Sequence, residues 1–245
     1  MNERREIIAI VQSLKKVLIN NQEIGFDPPP VSSEVLNYLN TENNTKHSSS
    51  LQAFSHYSLK ELEGLVQDCR LCKLSAERKN IVFGEGPSDA QLVFIGEAPG
   101  VEEDLTGKPF VGEAGRLFSK IVSSMGITRG DVYICNIVKC HPPNNRDPEP
   151  DEIEKCLPIL QEQISIIKPE IICTLGRVSL RALIKKDLKI TRDRGQWQDY
   201  MGIPVMPTYH PAYLLRNPDA KKDTWQDIKK IMDRLGLKDP RRFKN

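Results

Sequence analysis

The sequence predicts an α/β fold: a three-layer αβα sandwich around a mostly parallel four-stranded sheet, with a helical N-terminal extension. Three observations carry this expectation. Four apolar runs of strand length occur, QLVFIG (91–96), DVYICNIV (131–138), EIICTLG (170–176) and IPVMPTYH (203–210). Segments of helical periodicity lie between them at 113–125, 151–167 and 177–185, and another follows at 222–235. Strict alternation of this kind gives parallel strands covered by helices on both faces, with ligands gathering at the carboxyl ends of the strands. The composition agrees: 245 residues, 39% apolar and 28% charged, with 17 prolines and 15 glycines, suffice for a sizeable core with turns.

Taken in order, residues 3–20 set Ile7, Val11, Leu14 and Leu18 at helical spacing, so residues 1–20 are expected to form an amphipathic helix, a surface a partner protein could bind, although a dispensable terminal extension is the plainer reading. Residues 21–56 read as a flexible polar linker, because Pro28, Pro29 and Pro30 and the run NTENNTKHSSS cannot repay their ordering entropy by burial. A compact domain is expected over 57–237. It opens where Ser58 and Glu61 form a capping-box pattern ahead of Leu59, Leu62 and Leu65. Residues 238–245 form a basic tail. No stretch approaches the roughly 20 apolar residues of a bilayer helix, and MNERREIIAI lacks the cleavage pattern of a secretory signal, so a cytoplasmic protein is expected.

A net charge of +2 conceals an asymmetry. From Arg177 onward there are 17 Lys or Arg against 8 Asp and no Glu, so the preceding part is net acidic. A basic end attracts a polyanion, although a solvated helix face is the plainer source of such a count. Six cysteines in a cytoplasmic chain argue for ligands or packing rather than disulfides. Cys69 and Cys72 form C-x-x-C, and Cys140 and Cys156 form a more distant pair. Four thiolates suit zinc or an iron–sulfur cluster, and spacing alone does not choose between them. A redox C-x-x-C would normally follow the first strand, whereas this one precedes every strand. Cys135 and Cys173 sit inside apolar runs and read as small buried hydrophobes.

The strand ends hold the remaining signals. The first run enters GEAPG (96–100) and then VEEDLTGKPFVGEAG, which contains neither a P-loop nor a dinucleotide fingerprint. The loop instead carries Glu97, Ala98, Glu103 and, in a GKPF turn, Phe110, a rigid ring able to stack on a base. The second run ends in Asn136, whose amide matches the donor and acceptor on a pyrimidine's pairing edge; a turn cap is its commoner role. The last run delivers YHPAYLLRNP, with His210 at its tip.

In this combination the chain from about Ser58 to Leu237 resembles the family 4 uracil-DNA glycosylases, the iron–sulfur-containing bacterial and archaeal type. The resemblance rests on C-x-x-C, GEAPGxxEDxxGxPFVGxAG, NIVKCxPPxNRxP, a distant fourth cysteine and HPAYLLRNP, in that order. It implies that Cys69, Cys72, Cys140 and Cys156 hold a [4Fe-4S] cluster. It further implies that the protein acts as a nucleoid-associated monomer on uracil-containing DNA, single- or double-stranded, releasing free uracil. Carried over by position, Phe110 stacks on the flipped uracil and Asn136 reads its edge. Glu103 borders uracil C5 and excludes thymine's methyl group, and the backbone around Glu97 and Ala98 lines the pocket. His210 hydrogen-bonds the leaving base, Leu214 enters the gap in the helix and Arg216 meets phosphate. Glu97 is the candidate to position water, although Ala98 stands at the position where the best-known uracil glycosylases carry an Asp for that task. One branch of the superfamily traps DNA through a histidine in a basic insertion; none lies between Gly100 and Gly115, so a hydrolase is expected. A non-catalytic iron–sulfur DNA-binding protein, related to phage polymerase-associated domains, is the alternative.

Overall fold

The computed structural model describes residues 57–184 and 186–239. The helix expected over 1–20, the linker over 21–56 and most of the basic tail lie outside the described residues.

Five strands form one sheet: β1 (Leu92–Gly96), β2 (Tyr133–Asn136), β3 (Ile171–Leu175), β4 (Gln198–Tyr200) and β5 (Ile203–Thr208), in the order β2-β1-β3-β5-β4. The pairings β1–β2, β1–β3 and β3–β5 are parallel, and these four strands are the apolar runs of the sequence. The sheet thus has one strand more than the four expected. The fifth, β4, pairs antiparallel with β5 through a two-residue turn at Met201 and Gly202, both at positive φ (54° and 85°), as a tight primed hairpin turn requires. Its three residues, QDY, are half-buried or exposed and so leave no apolar signature.

Eight α-helices accompany the described sheet: α1 (Leu59–Val66), α2 (Val101–Thr106), α3 (Glu113–Ser124), α4 (Pro150–Ile167), α5 (Arg177–Ile184), α6 (Ile190–Asp193), α7 (Pro211–Arg216) and α8 (Lys221–Arg234). The Ser58–Glu61 capping box closes α1 in both directions, as the sequence suggested. Successive strand side chains alternate between the two faces of the sheet. Val93, Ile95, Cys135, Ile172 and Val205 pack with Leu62 and Val66 of α1 and Leu160 and Ile164 of α4. Leu92, Phe94, Ile134, Cys173 and Met206 face Phe118 and Val122 of α3 and Ile228 and Ile231 of α8. Cys135 and Cys173 are fully buried on opposite faces and serve as packing residues.

This topology sets the site. From β1 the chain crosses to β2 on one side, and β3 and β5 extend the sheet on the other, so a crevice opens beyond the carboxyl ends of the parallel strands. Backbone bonds run on past the strands, from Ile137 N to Gly96 O (3.0 Å) and from Gly176 N to Thr208 O (2.9 Å), so the loops leave in register. The end of β5 is pinned by Asp227 of α8, which accepts from Thr208 Oγ1 (2.7 Å) and from two nitrogens of Arg194.

Candidate active site

His210 follows the end of β5 and is the N-cap of α7, its Nδ1 accepting from Ala212 N at 3.2 Å. An Nδ1 that accepts leaves the proton of a neutral imidazole on Nε2, so the ring carries one free donor. Desolvation lowers the His210 pKa to about 4; Glu103 opposes that shift and Arg216 adds to it. The ring is therefore neutral at physiological pH.

Phe110 lies 5.7 Å from the His210 ring and 5.0 Å from Phe118, centroid to centroid. Its backbone is in the left-handed region (φ 52°), a conformation a bulky residue holds only under constraint. Arg129 supplies that constraint by donating to Phe110 O (3.0 Å) and Pro109 O (2.7 Å). Gly115 permits it, since a Cβ there would lie 2.0 Å from Phe110 O. Glu103 holds the other side of the same loop, accepting from Val111 N (2.8 Å), Gly112 N (2.9 Å) and Gly100 N (3.0 Å). Beneath lies Gly96, where a Cβ would come within 2.3 Å of Asn136 Oδ1 and 2.6 Å of Phe110 Cζ. The Phe110 ring and the Asn136 amide can therefore pack this closely over residue 96 only because it has no side chain.

Asn136, at the end of β2, is buried, and its Oδ1 has no hydrogen-bond partner. A buried acceptor left unpaired costs free energy, and such a group in a cleft points to a ligand. The cleft is a cavity of about 500 Å³ whose walls include Glu97, Glu103, Phe110, Asn136, Asp147 and His210. Burial, followed by the charge and a hydrogen bond of Asp147, pushes the Glu97 pKa up to about 7, with Arg177 acting in the opposite sense. Asp147 is itself ion-paired to Arg177. Five of the residues expected at the site, Glu97, Glu103, Phe110, Asn136 and His210, thus meet in one cavity, with Ala98 and Arg216 also on its wall.

A profile of the uracil DNA glycosylase superfamily matches residues 83–229. The type-4 uracil-DNA glycosylase of Saccharolobus solfataricus is 50% identical over 182 residues, 71% of this chain and 84% of the relative. That of Thermotoga maritima is 46% identical over 182 residues, covering 71% and 95% respectively, and that of Archaeoglobus fulgidus 41% identical over 194 residues, covering 76% and 98%. The chain belongs to the type-4 group of the uracil-DNA glycosylase superfamily.

Within this member of the family, one expected residue is placed differently. Leu214 is 0% exposed, so in the free protein its side chain is packed inside rather than presented at the surface. With His210 as N-cap, Pro211 and Leu214 fall on the inward face of α7, which packs against α3. The outward face presents Tyr213, 36% exposed and on the cavity wall, and the exposed Arg216. The Tyr213 ring lies 4.8 Å from that of Tyr209, over which Arg194 is placed at 5.3 Å. Sequence reasoning also missed Arg129 and Asp147, each far in sequence from the residue it acts on.

The four cysteines come from three segments, after α1, after β2 and within α4, and they line one small pocket that shares no lining residue with the cavity. Arg78 Nη1 donates to Cys140 Sγ and Lys139 N to Cys156 Sγ, both at 3.3 Å. N–H donors aimed at sulfur suit thiolates that carry negative charge, as ligated cysteines do. Among the described residues no three His, Cys, Asp or Glu side chains gather as a single-ion site.

Proposed function

We propose that the protein hydrolyses the N-glycosidic bond of uracil in DNA, releasing uracil and leaving an abasic site. The observation that carries this reading is the unpartnered Asn136 Oδ1 in a cavity that also holds Phe110 and a neutral His210. Oδ1 accepts from N3–H of uracil while the amide nitrogen donates to the adjacent carbonyl; cytosine has a lone pair at N3 and an amine beside it, so both contacts fail. Flipping the base out of the stack costs a few kcal/mol, which stacking on Phe110 helps return. Glu103, immobilised by three amides, is the rigid wall that meets C5 and excludes thymine's methyl group.

In the reaction the C1′–N1 bond breaks, its electron pair passes to uracil and positive charge develops on the sugar. The Nε2–H of His210 donates to the base carbonyl as it becomes negative, an interaction that strengthens toward the transition state. Water adds at C1′. Glu97, with a pKa near 7 and Asp147 beside it, orients that water and takes its proton. Arg216 on the cavity rim meets backbone phosphate. Cys69, Cys72, Cys140 and Cys156 would hold a [4Fe-4S] cluster whose contribution is structural, cross-linking three segments of the chain. The non-catalytic alternative is disfavoured, because DNA binding alone needs neither a buried amide acceptor nor a neutral imidazole donor.

Incubation with uracil-containing single- and double-stranded oligonucleotides should release free uracil, and protein purified without oxygen should be brown with about four irons per chain. No uracil release by iron-replete protein would overturn the catalytic reading. Zinc in place of iron, or full colour in Cys156→Ala, would overturn the cluster.

A further inference from the structure

Lys139 is 1% exposed, and among the described residues no carboxylate is paired with it. Its ammonium donates instead to neutral oxygens, Asn136 O at 2.8 Å and Gln163 Oε1 at 2.6 Å. Gln163 is also fully buried and fixed at its other end, its Nε2 donating to Phe83 O and to Tyr133 Oη, both at 2.9 Å. A buried cation without an anion is costly, so its surroundings must supply negative charge. Lys139 lines the cysteine pocket and its own amide donates to Cys156 Sγ. Four thiolates around a [4Fe-4S]²⁺ core carry a net charge of about −2, and Lys139 with Arg78 would balance it.

The same lysine reaches the base-reading residue. Asn136 and Cys140 are the ends of one five-residue segment, and the Lys139 side chain folds back to close it into a ring. The ring also braces the first loop, since Ile137 N and Val138 N donate to Gly96 O (3.0 Å) and Glu97 O (3.2 Å). We propose that Lys139 is a positioning residue that ties the backbone of Asn136 to the cysteine pocket, so that the metal-bound state of that pocket sets how Asn136 presents its amide to the base. This rests on the uracil-excising, iron–sulfur reading above.

The test compares wild-type holoprotein with Lys139→Met, Lys139→Arg and Gln163→Glu. It measures free uracil affinity by calorimetry, the reduction potential of the centre, and single-turnover rates on uracil and cytosine substrates. Lys139→Met should weaken uracil binding roughly 10-fold, the worth of one hydrogen bond from a charged donor. It should also make the potential more negative through loss of a nearby positive charge, and narrow the preference for uracil over cytosine, with Lys139→Arg recovering part of each. Should Lys139→Met fail to fold, Gln163→Glu decides: a buried carboxylate that draws the ammonium off Asn136 should lower uracil affinity and potential together. Uracil affinity and potential both at wild-type values in Lys139→Met, or in Gln163→Glu if only that variant folds, would overturn the proposal while leaving the catalytic reading intact. Wild-type protein that holds its iron but releases no uracil would overturn the catalytic reading itself.

Discussion

Replacing His210 separates its two duties. It caps α7 through Nδ1, and it offers one N–H to the cavity. Loss of a cap costs about 1 kcal/mol of stability. Loss of a donor aimed at developing negative charge costs about 2.7–4 kcal/mol of transition-state stabilisation, or 10²- to 10³-fold in rate. His210→Ala loses both, whereas His210→Ser restores a good capping oxygen without a donor long enough to replace Nε2. Both variants should therefore be at least about 10²-fold slower in single-turnover excision, with little change in DNA affinity, and only His210→Ala should also be less stable. With its pKa near 4, the imidazole stays neutral from pH 5 to 9, so the inflection in the wild-type profile should be that of Glu97 near 7 and should disappear in Glu97→Gln. Single-turnover rates across that range, with thermal melts alongside, make the comparison. Recovery of the rate by His210→Ser, or a His210→Ala rate within a few-fold of wild type, would remove the histidine from the chemistry.

Glu97 should show in stability as well as rate. Its raised pKa means the folded protein retains a proton that the unfolded chain has released between about pH 4.5 and 7, so stability falls across that window and the full cost stands above it. Glu97→Gln should raise the melting temperature at pH 8 more than at pH 5; equal shifts at both would refute the buried carboxylate's cost. Asn136→Asp should lose uracil excision and gain weak cytosine excision as a protonated acid, measured on paired substrates. Tyr213→Ala should slow excision from duplex DNA more than from single strands, because only the duplex must be held open; equal slowing would count against a contact with the base stack. Leu214→Ala should instead cost about 2–5 kcal/mol in denaturant unfolding, as a buried leucine does.

The four parallel strands were legible because each is buried on both faces and so reads as an unbroken apolar run. β4, α2, α6 and α7 were not, since three to six residues are too few to show a period. Asn136 and His210 were readable as candidates from their places at strand ends, and Phe110 from its GKPF turn. The burial of Leu214 was not legible because it depends on the phase of α7, which only its start at Pro211 sets; His210-Pro211, a cap followed by proline, was the available signal. Asp147 and Arg129 gave no local signal, because their partners Glu97 and Phe110 lie on other loops and only the folded chain brings them together. Lys139 was hidden in VKC, where a lysine beside a cysteine reads as solvated surface rather than as a buried cation.

The order of segments along the chain has a consequence for biosynthesis. All four pocket cysteines precede β3, while His210 follows β5, so a nascent chain carries the whole set of pocket thiols before the strands that complete the surrounding core, with Ile172 and Val205, have been made. Thiols exposed during that interval are open to oxidation, and metal captured then would be held by an unfinished half-sheet. A ribosome-bound intermediate stalled before β3 would therefore hold all four pocket cysteines and lack His210, so filling of that pocket and completion of the cavity are separable in time.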